Sequence, residues 1–116
     1  MTESEFKRRT MQFGLNVMKV VDELHPSTAG RAIARQLVRS GTSVGANYRA
    51  ACRARSRADM AAKLGVVEEE CDESLYWLEL ITLASLLSEG RVESLHREAN
   101  EILEMIVASR KTLKNR

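Results

Sequence analysis

The stretch RSGTSVGANYRAACRARSR, Arg39 to Arg57, holds five arginines and two glycines and admits two incompatible readings. It is either a glycine-rich loop that cradles a phosphate or a helix with arginines along one side. Advancing 100° per residue from Ala29 settles the choice. Arg31, Arg35, Arg39, Arg49, Arg53 and Arg57 then fall within about 80° of arc, and Ile33, Leu37, Ser40, Val44 and Ala51 within about 60° on the opposite side. A loop at Gly41 to Gly45 would have no reason to keep both stripes in phase. The stretch GTSVG also lacks the GxxxxGK[ST] spacing, and no apolar strand precedes it. The spacing therefore predicts an unbroken helix from Ala29 to about Arg57, apolar on one flank and cationic on the other.

Working outward, three further segments keep an apolar repeat at three-four spacing. The first, about 4–24, aligns Phe6, Thr10, Phe13, Val17, Val20 and Leu24. HPSTAG then breaks the chain: Pro26 stops one helix, and Ser27 or Thr28 can cap the next. Met60, Leu64, Val67, Cys71, Ser74, Leu78, Ile81 and Ser85 form a third stripe on a helix of about 57–88. Ser56, with Asp59 three residues on, is its expected N-terminal cap. The fourth helix, about 92–113, aligns Val92, Leu95, Ala99, Ile102, Ile106, Ser109 and Leu113. Ser88 to Gly90 reads as the stop before it, with glycine near the C-terminal cap. The helices bounding the middle are thus about 29–55 and 57–88. The fold class is all-α, an antiparallel up-and-down four-helix bundle in one domain spanning 1–116.

Composition agrees. The 116 residues include one proline, six glycines and five aromatics, which disfavours a turn-rich β fold. No run of 18 apolar residues predicts a membrane span, and MTESEFKRR lacks the apolar core of a secretory signal. Cys52 and Cys71 have no metal-ligand or CxxC spacing, so reduced thiols and a cytoplasmic protein are expected. One Glu-x-x-His, Glu93 and His96, stands alone, where a dinuclear metal site in a bundle needs two. No metal, no cofactor and no enzyme activity are predicted.

Charge is the informative signal. The formal net charge is only +2. Yet from Leu24 through Ala58 there are seven arginines and no acid, and from Leu64 through Gly90 seven acids and no base. Pairing between adjacent helices accounts for part of this, with Arg39 and Arg49 expected to meet Glu70 and Glu73. The remaining arginines form a row suited to phosphate, because the planar guanidinium donates two hydrogen bonds at once. Few aromatics are free to stack on bases, so binding is expected to be backbone-directed. The small residues around Gly41 and Gly45 invite a neighbouring backbone, from this chain or another subunit, and are taken as a subunit contact. An acidic protein partner or a subunit interface is the competing use of the arginines.

QLVRSGTSVGANYRAACRARS followed by EEECDESLYWLELI resembles a family of small bacterial four-helix bundles encoded in intervening sequences of 23S ribosomal RNA genes. The family's second-helix pattern corresponds to Gln36, Leu37, Arg39, Ser40, Ser43, Val44, Asn47 and Arg49, and its third-helix pattern to Glu70, Glu73, Trp77 and Leu78. Many relatives carry an acid where Ala50 stands and an aromatic where Met60 stands. The resemblance implies a homopentameric ring. Some relatives are similar to accessory proteins of diversity-generating retroelements, which implies a basic surface contacting nucleic acid and a reverse transcriptase. The function expected is binding of structured RNA, or RNA/DNA, by an oligomeric non-enzymatic protein.

Overall fold

The computed structural model describes residues 1–115 and contains four helices: α1 (Glu3–Val21), α2 (Thr28–Cys52), α3 (Arg57–Leu83) and α4 (Glu89–Lys114). Local chemistry sets most of their ends. Thr2 Oγ1 accepts from the Glu5 amide at 3.1 Å and the Glu5 carboxylate accepts from the Thr2 amide at 3.0 Å, a reciprocal box that opens α1. Ser27 caps α2 through the Gly30 amide at 2.9 Å, and Ser56 caps α3 through the Asp59 amide at 3.0 Å.

Helix ends differ from the sequence expectation: α1 stops at Val21 instead of about 24, and two further differences bear on the arginines and the α3–α4 turn. The predicted rod is continuous through Gly41 and Gly45 but ends at Cys52, because Ser56 and Asp59 start a new helix four residues later. Arg53 is the C-terminal cap of α2 and Arg57 opens α3, so the six arginines do not share one helix. The stop between α3 and α4 also lies earlier. Ser85 takes φ 56°, the left-handed conformation, and the Leu86 amide donates back to the Ile81 carbonyl at 3.0 Å. Serine thus fills the place expected of glycine, while Gly90 sits inside the first turn of α4.

The helices run up and down, and their apolar stripes meet along the axis. Phe13, Val17, Leu37, Val44, Leu78, Ile81 and Ile102 are buried at the centre. The result is a rod of about 47 × 21 × 21 Å. Its contacts fix a register. Gly41 lies against Val17, Ser40 Oγ accepts from Ser74 Oγ at 3.0 Å, and Gly65 lies against the Arg110 guanidinium.

The close approach foreseen at the small residues of α2 is made by α1 of the same chain. A Cβ on Gly41 would sit 2.8 Å from a Val17 methyl carbon, and one on Gly45 would sit 3.3 Å from the Thr10 backbone. Gly41 is buried there. Gly41 is thereby closed off inside the chain, which removes it from the expected subunit contact, whereas Gly45 stays half-buried beside the groove between α1 and α2. The helix-interior glycines, each unfavourable by about 1 kcal/mol relative to alanine, are offset by α1–α2 packing.

Candidate nucleic-acid interface

The six arginines singled out from the sequence separate into three groups. Arg31 and Arg35, on the first turns of α2, are exposed and form no salt bridge. Arg39, at mid-helix, donates to Glu70 at 2.9 Å and also to Glu73, whose carboxylate further accepts from Trp77 Nε1 at 3.1 Å. Arg49 and Arg53 lie at the far end, exposed and again without a salt bridge, while Arg57 follows on α3. Glu70 and Glu73 therefore take the role predicted for them, but from Arg39 alone. Arg49 does not join them. The register that sets Ser40 against Ser74 sets Arg49 near Gly65, where α3 carries no acid, and Arg49 lies instead beside Lys7 and Met11 of α1.

The stripe is consequently interrupted. Arg39 is matched by two carboxylates, and Glu69 and Asp72 flank them on α3. A polyanion laid along α2 would cross an acidic zone between its two cationic ends. Like charges there oppose it.

Following the register across all four helices locates the rest of the charge. One end of the rod gathers the start of α1, the end of α2, the start of α3 and the end of α4. Among the described residues it carries Lys7, Arg8 and Arg9; Arg49, Arg53 and Arg55; Arg57 and Lys63; and Arg110, Lys111 and Lys114, eleven basic residues against the three acids Glu3, Glu5 and Asp59. The waist has Arg39 against eight acids, on α3 and at Glu98, Glu101 and Glu104 of α4. The opposite end is balanced, five against five. A net charge of +2 therefore conceals a basic pole and an acidic waist.

Several pole cations are committed to structure. Arg9 reaches toward the waist, donating to both oxygens of Glu98 at 2.7 Å and to Glu101 at 2.9 Å; the Glu98 carboxylate raises its already high pKa despite partial burial. Arg110 donates to Glu68 at 2.9 Å, Lys7 pairs with Glu3 at 3.2 Å and Lys63 with Asp59 at 2.7 Å. Lys63 and the Arg55 amide hold the Asp59 carboxyl below its usual range. By contrast, among the described residues Arg49, Arg53, Arg55, Lys111 and Lys114 form no salt bridge, and Arg8 bonds only the Ser4 hydroxyl at 3.1 Å. Lys63, Arg55 and the α4 and α1 cations escaped sequence reasoning because only the tertiary register brings them to Arg49 and Arg53. The run RARSR was a local signal for Arg55.

The other reactive groups offer less. Cys71 is buried and its Sγ donates to the Ala99 carbonyl at 3.2 Å; burial pushes its pKa up to about 12. Burial likewise raises Cys52, which neighbours Tyr48 and Glu3. His96 stands 3.9 Å from Glu79. Among the described residues, no three His, Cys, Asp or Glu side chains lie close enough to share a metal ion, and no helix is long and apolar enough to cross a membrane.

The helix pattern and its charge layout can be set beside known proteins. The family model described as 23S rRNA-intervening sequence protein matches residues 2–108. The chain belongs to this family. A crystal structure of a protein of unknown function from the S23 ribosomal protein family of Bacteroides thetaiotaomicron is similar to it throughout. The two share 31% identity over 96% of this chain and 99% of that one, with a TM-score of 0.87. Comparison with curated proteins gives no match. Within this family fold, Arg39, Glu70, Glu73 and Trp77, residues of the recognised second- and third-helix motifs, form a single hydrogen-bonded group across the α2–α3 seam.

Proposed function

We propose that this family member is a non-enzymatic, oligomeric protein that binds structured RNA, or RNA/DNA, through backbone phosphates. The carrying observation is that Arg49 and Arg53, exposed and without a carboxylate partner among the described residues, stand in a cluster of bases; Arg31 and Arg35 are also unmatched but lie at the end of the rod where charge is balanced. Arginines left unmatched on a chain whose waist has spare carboxylates serve an anion from outside the molecule better than they serve the fold. Arg39 is the weakest member, since Glu70 and Glu73 already neutralise it. Burial raises the pKa of both thiols, the opposite of what activates a cysteine nucleophile, which favours a binding protein over an enzyme.

We further propose, from the family resemblance, that it assembles as a homopentameric ring and acts beside a retroelement reverse transcriptase in the manner of the accessory proteins. Five copies would multiply a weak phosphate contact through multivalency. With Gly41 taken up inside the chain, the exposed row Met11, Leu15 and Met18 on α1, which borders Gly45, is the surface that favours contact between copies. The same row favours the second reading, a protein–protein scaffold. Electrophoretic mobility shift with a generic folded RNA separates the two. Binding is expected at low salt, with log K falling linearly against log salt concentration. A protein that ignores RNA at low salt is the scaffold.

A further inference from the structure

Resting on the RNA-binding reading, we infer that the phosphates of an RNA duplex are met end-on by the basic pole, and not along the flank of α2. The free cations decide the place. Among the described residues other than Arg57, nine lysines and arginines form no salt bridge; six are at the pole, and the other three are Lys19, Arg31 and Arg35. Between the two sets lies the acidic waist, so a ligand long enough to touch both would run past the stretch Glu68 to Glu73 of α3, where Glu70 and Glu73 already hold Arg39.

Helix stability does not explain the pole. Bases in the last turns of α2 and α4, Arg49, Lys111 and Lys114, complement the negative ends of those helix dipoles. Arg55 and Arg57 are the reverse case. They stand at the positive N-terminal end of α3, where a cation is unfavourable. At the opposite end of the rod, the last turn of α3 has no base at all. The cations are thus concentrated beyond what the dipoles ask for, and partly against them.

The pole also selects among nucleic acids. Binding a single strand draws on aromatic side chains on which bases stack. Among the described residues the pole has no fully exposed aromatic: Tyr48 is half-buried and packs edge-on to Phe6 with ring centroids 4.7 Å apart, and Tyr76, which is exposed, lies on the far half of α3. A surface of arginines and lysines without stacking groups fits the phosphates of a duplex, whose bases are already stacked. The pole is about 21 Å across, room for on the order of six consecutive phosphates of one strand.

The test compares two variants that remove equal charge. Arg53→Gln/Arg55→Gln and Arg31→Gln/Arg35→Gln are titrated by fluorescence anisotropy against a labelled RNA duplex of about 16 base pairs, with circular dichroism confirming helicity. The pole double is expected to weaken binding about tenfold and to lower the log–log salt slope by about 2, with the flank double within about twofold of the wild type. Lys111→Gln/Lys114→Gln, on a different helix, repeats the pole measurement should loss of Arg53 disturb the α2 cap. Equal losses, or a larger loss at the flank, overturn the pole while leaving RNA binding in place. A single strand of the same sequence that binds more tightly than the duplex overturns the ligand class. A wild type that binds neither RNA removes the underlying function as well.

Discussion

Helix α2 has two neighbours and meets them by opposite means. Its seam with α1 is closed by removing atoms: Gly41 admits Val17, and Gly45 admits the Thr10 backbone. Its seam with α3 is closed by polar groups. Ser40 and Ser74 bond in the interior, and Arg39 spans the rim to Glu70 and Glu73. The first seam is steric, so it tolerates almost nothing larger and is indifferent to salt. The second is electrostatic at its edge, so it is soft, and its role is as much to neutralise the middle of the arginine row as to hold the helices together.

Three substitutions test this contrast, in descending order of effect. Gly41→Leu forces a branched side chain into the space of Val17 and is expected to lower stability by about 3 kcal/mol, measured by urea unfolding. A variant as stable as the wild type would mean that the α1–α2 seam is loose. Ser74→Ala leaves Ser40 with only its 3.4 Å bond to the Leu37 carbonyl and is expected to lower stability by about 1 kcal/mol. An unchanged midpoint would show that the serine pair contributes nothing to the α2–α3 seam. Arg39→Gln breaks a rim pair whose arginine is 48% exposed, so the loss should stay below about 1 kcal/mol and shrink further in high salt. The same variant should keep RNA affinity within about twofold, because the charge removed is already matched. A large loss of RNA binding would restore Arg39 to the contact surface and rejoin the two halves of the stripe.

The seams also explain what could be read in advance. The α2–α3 match of Arg39 with Glu70 and Glu73 was legible because both partners lie on stripes of known phase, and opposite charge on adjacent antiparallel helices brings them together. The assignment of Gly41 to a second subunit failed for a different reason. Small residues announce a close approach but do not say whose backbone arrives, and α1 carries no residue that advertises itself as the visitor except Gly14, which lies 3.6 Å from the Thr42 Cα if given a Cβ. The stop at Ser85 was missed because a left-handed serine has no reliable sequence signature, whereas Gly90 has a misleading one.

By itself the sequence determined the four helices, their buried stripes and the continuity of α2 through two glycines, since each depends on periodicity within one segment and on capping residues next to it. Tertiary structure decided where the charge ends up. Antiparallel topology carries the start of α1, the RARSR turn and the end of α4 to one pole and leaves the carboxylates at the waist. Position along the rod is a property of register between helices, fixed by how Val17, Ser74 and Arg110 seat against α2 and α3, and no single helix encodes it.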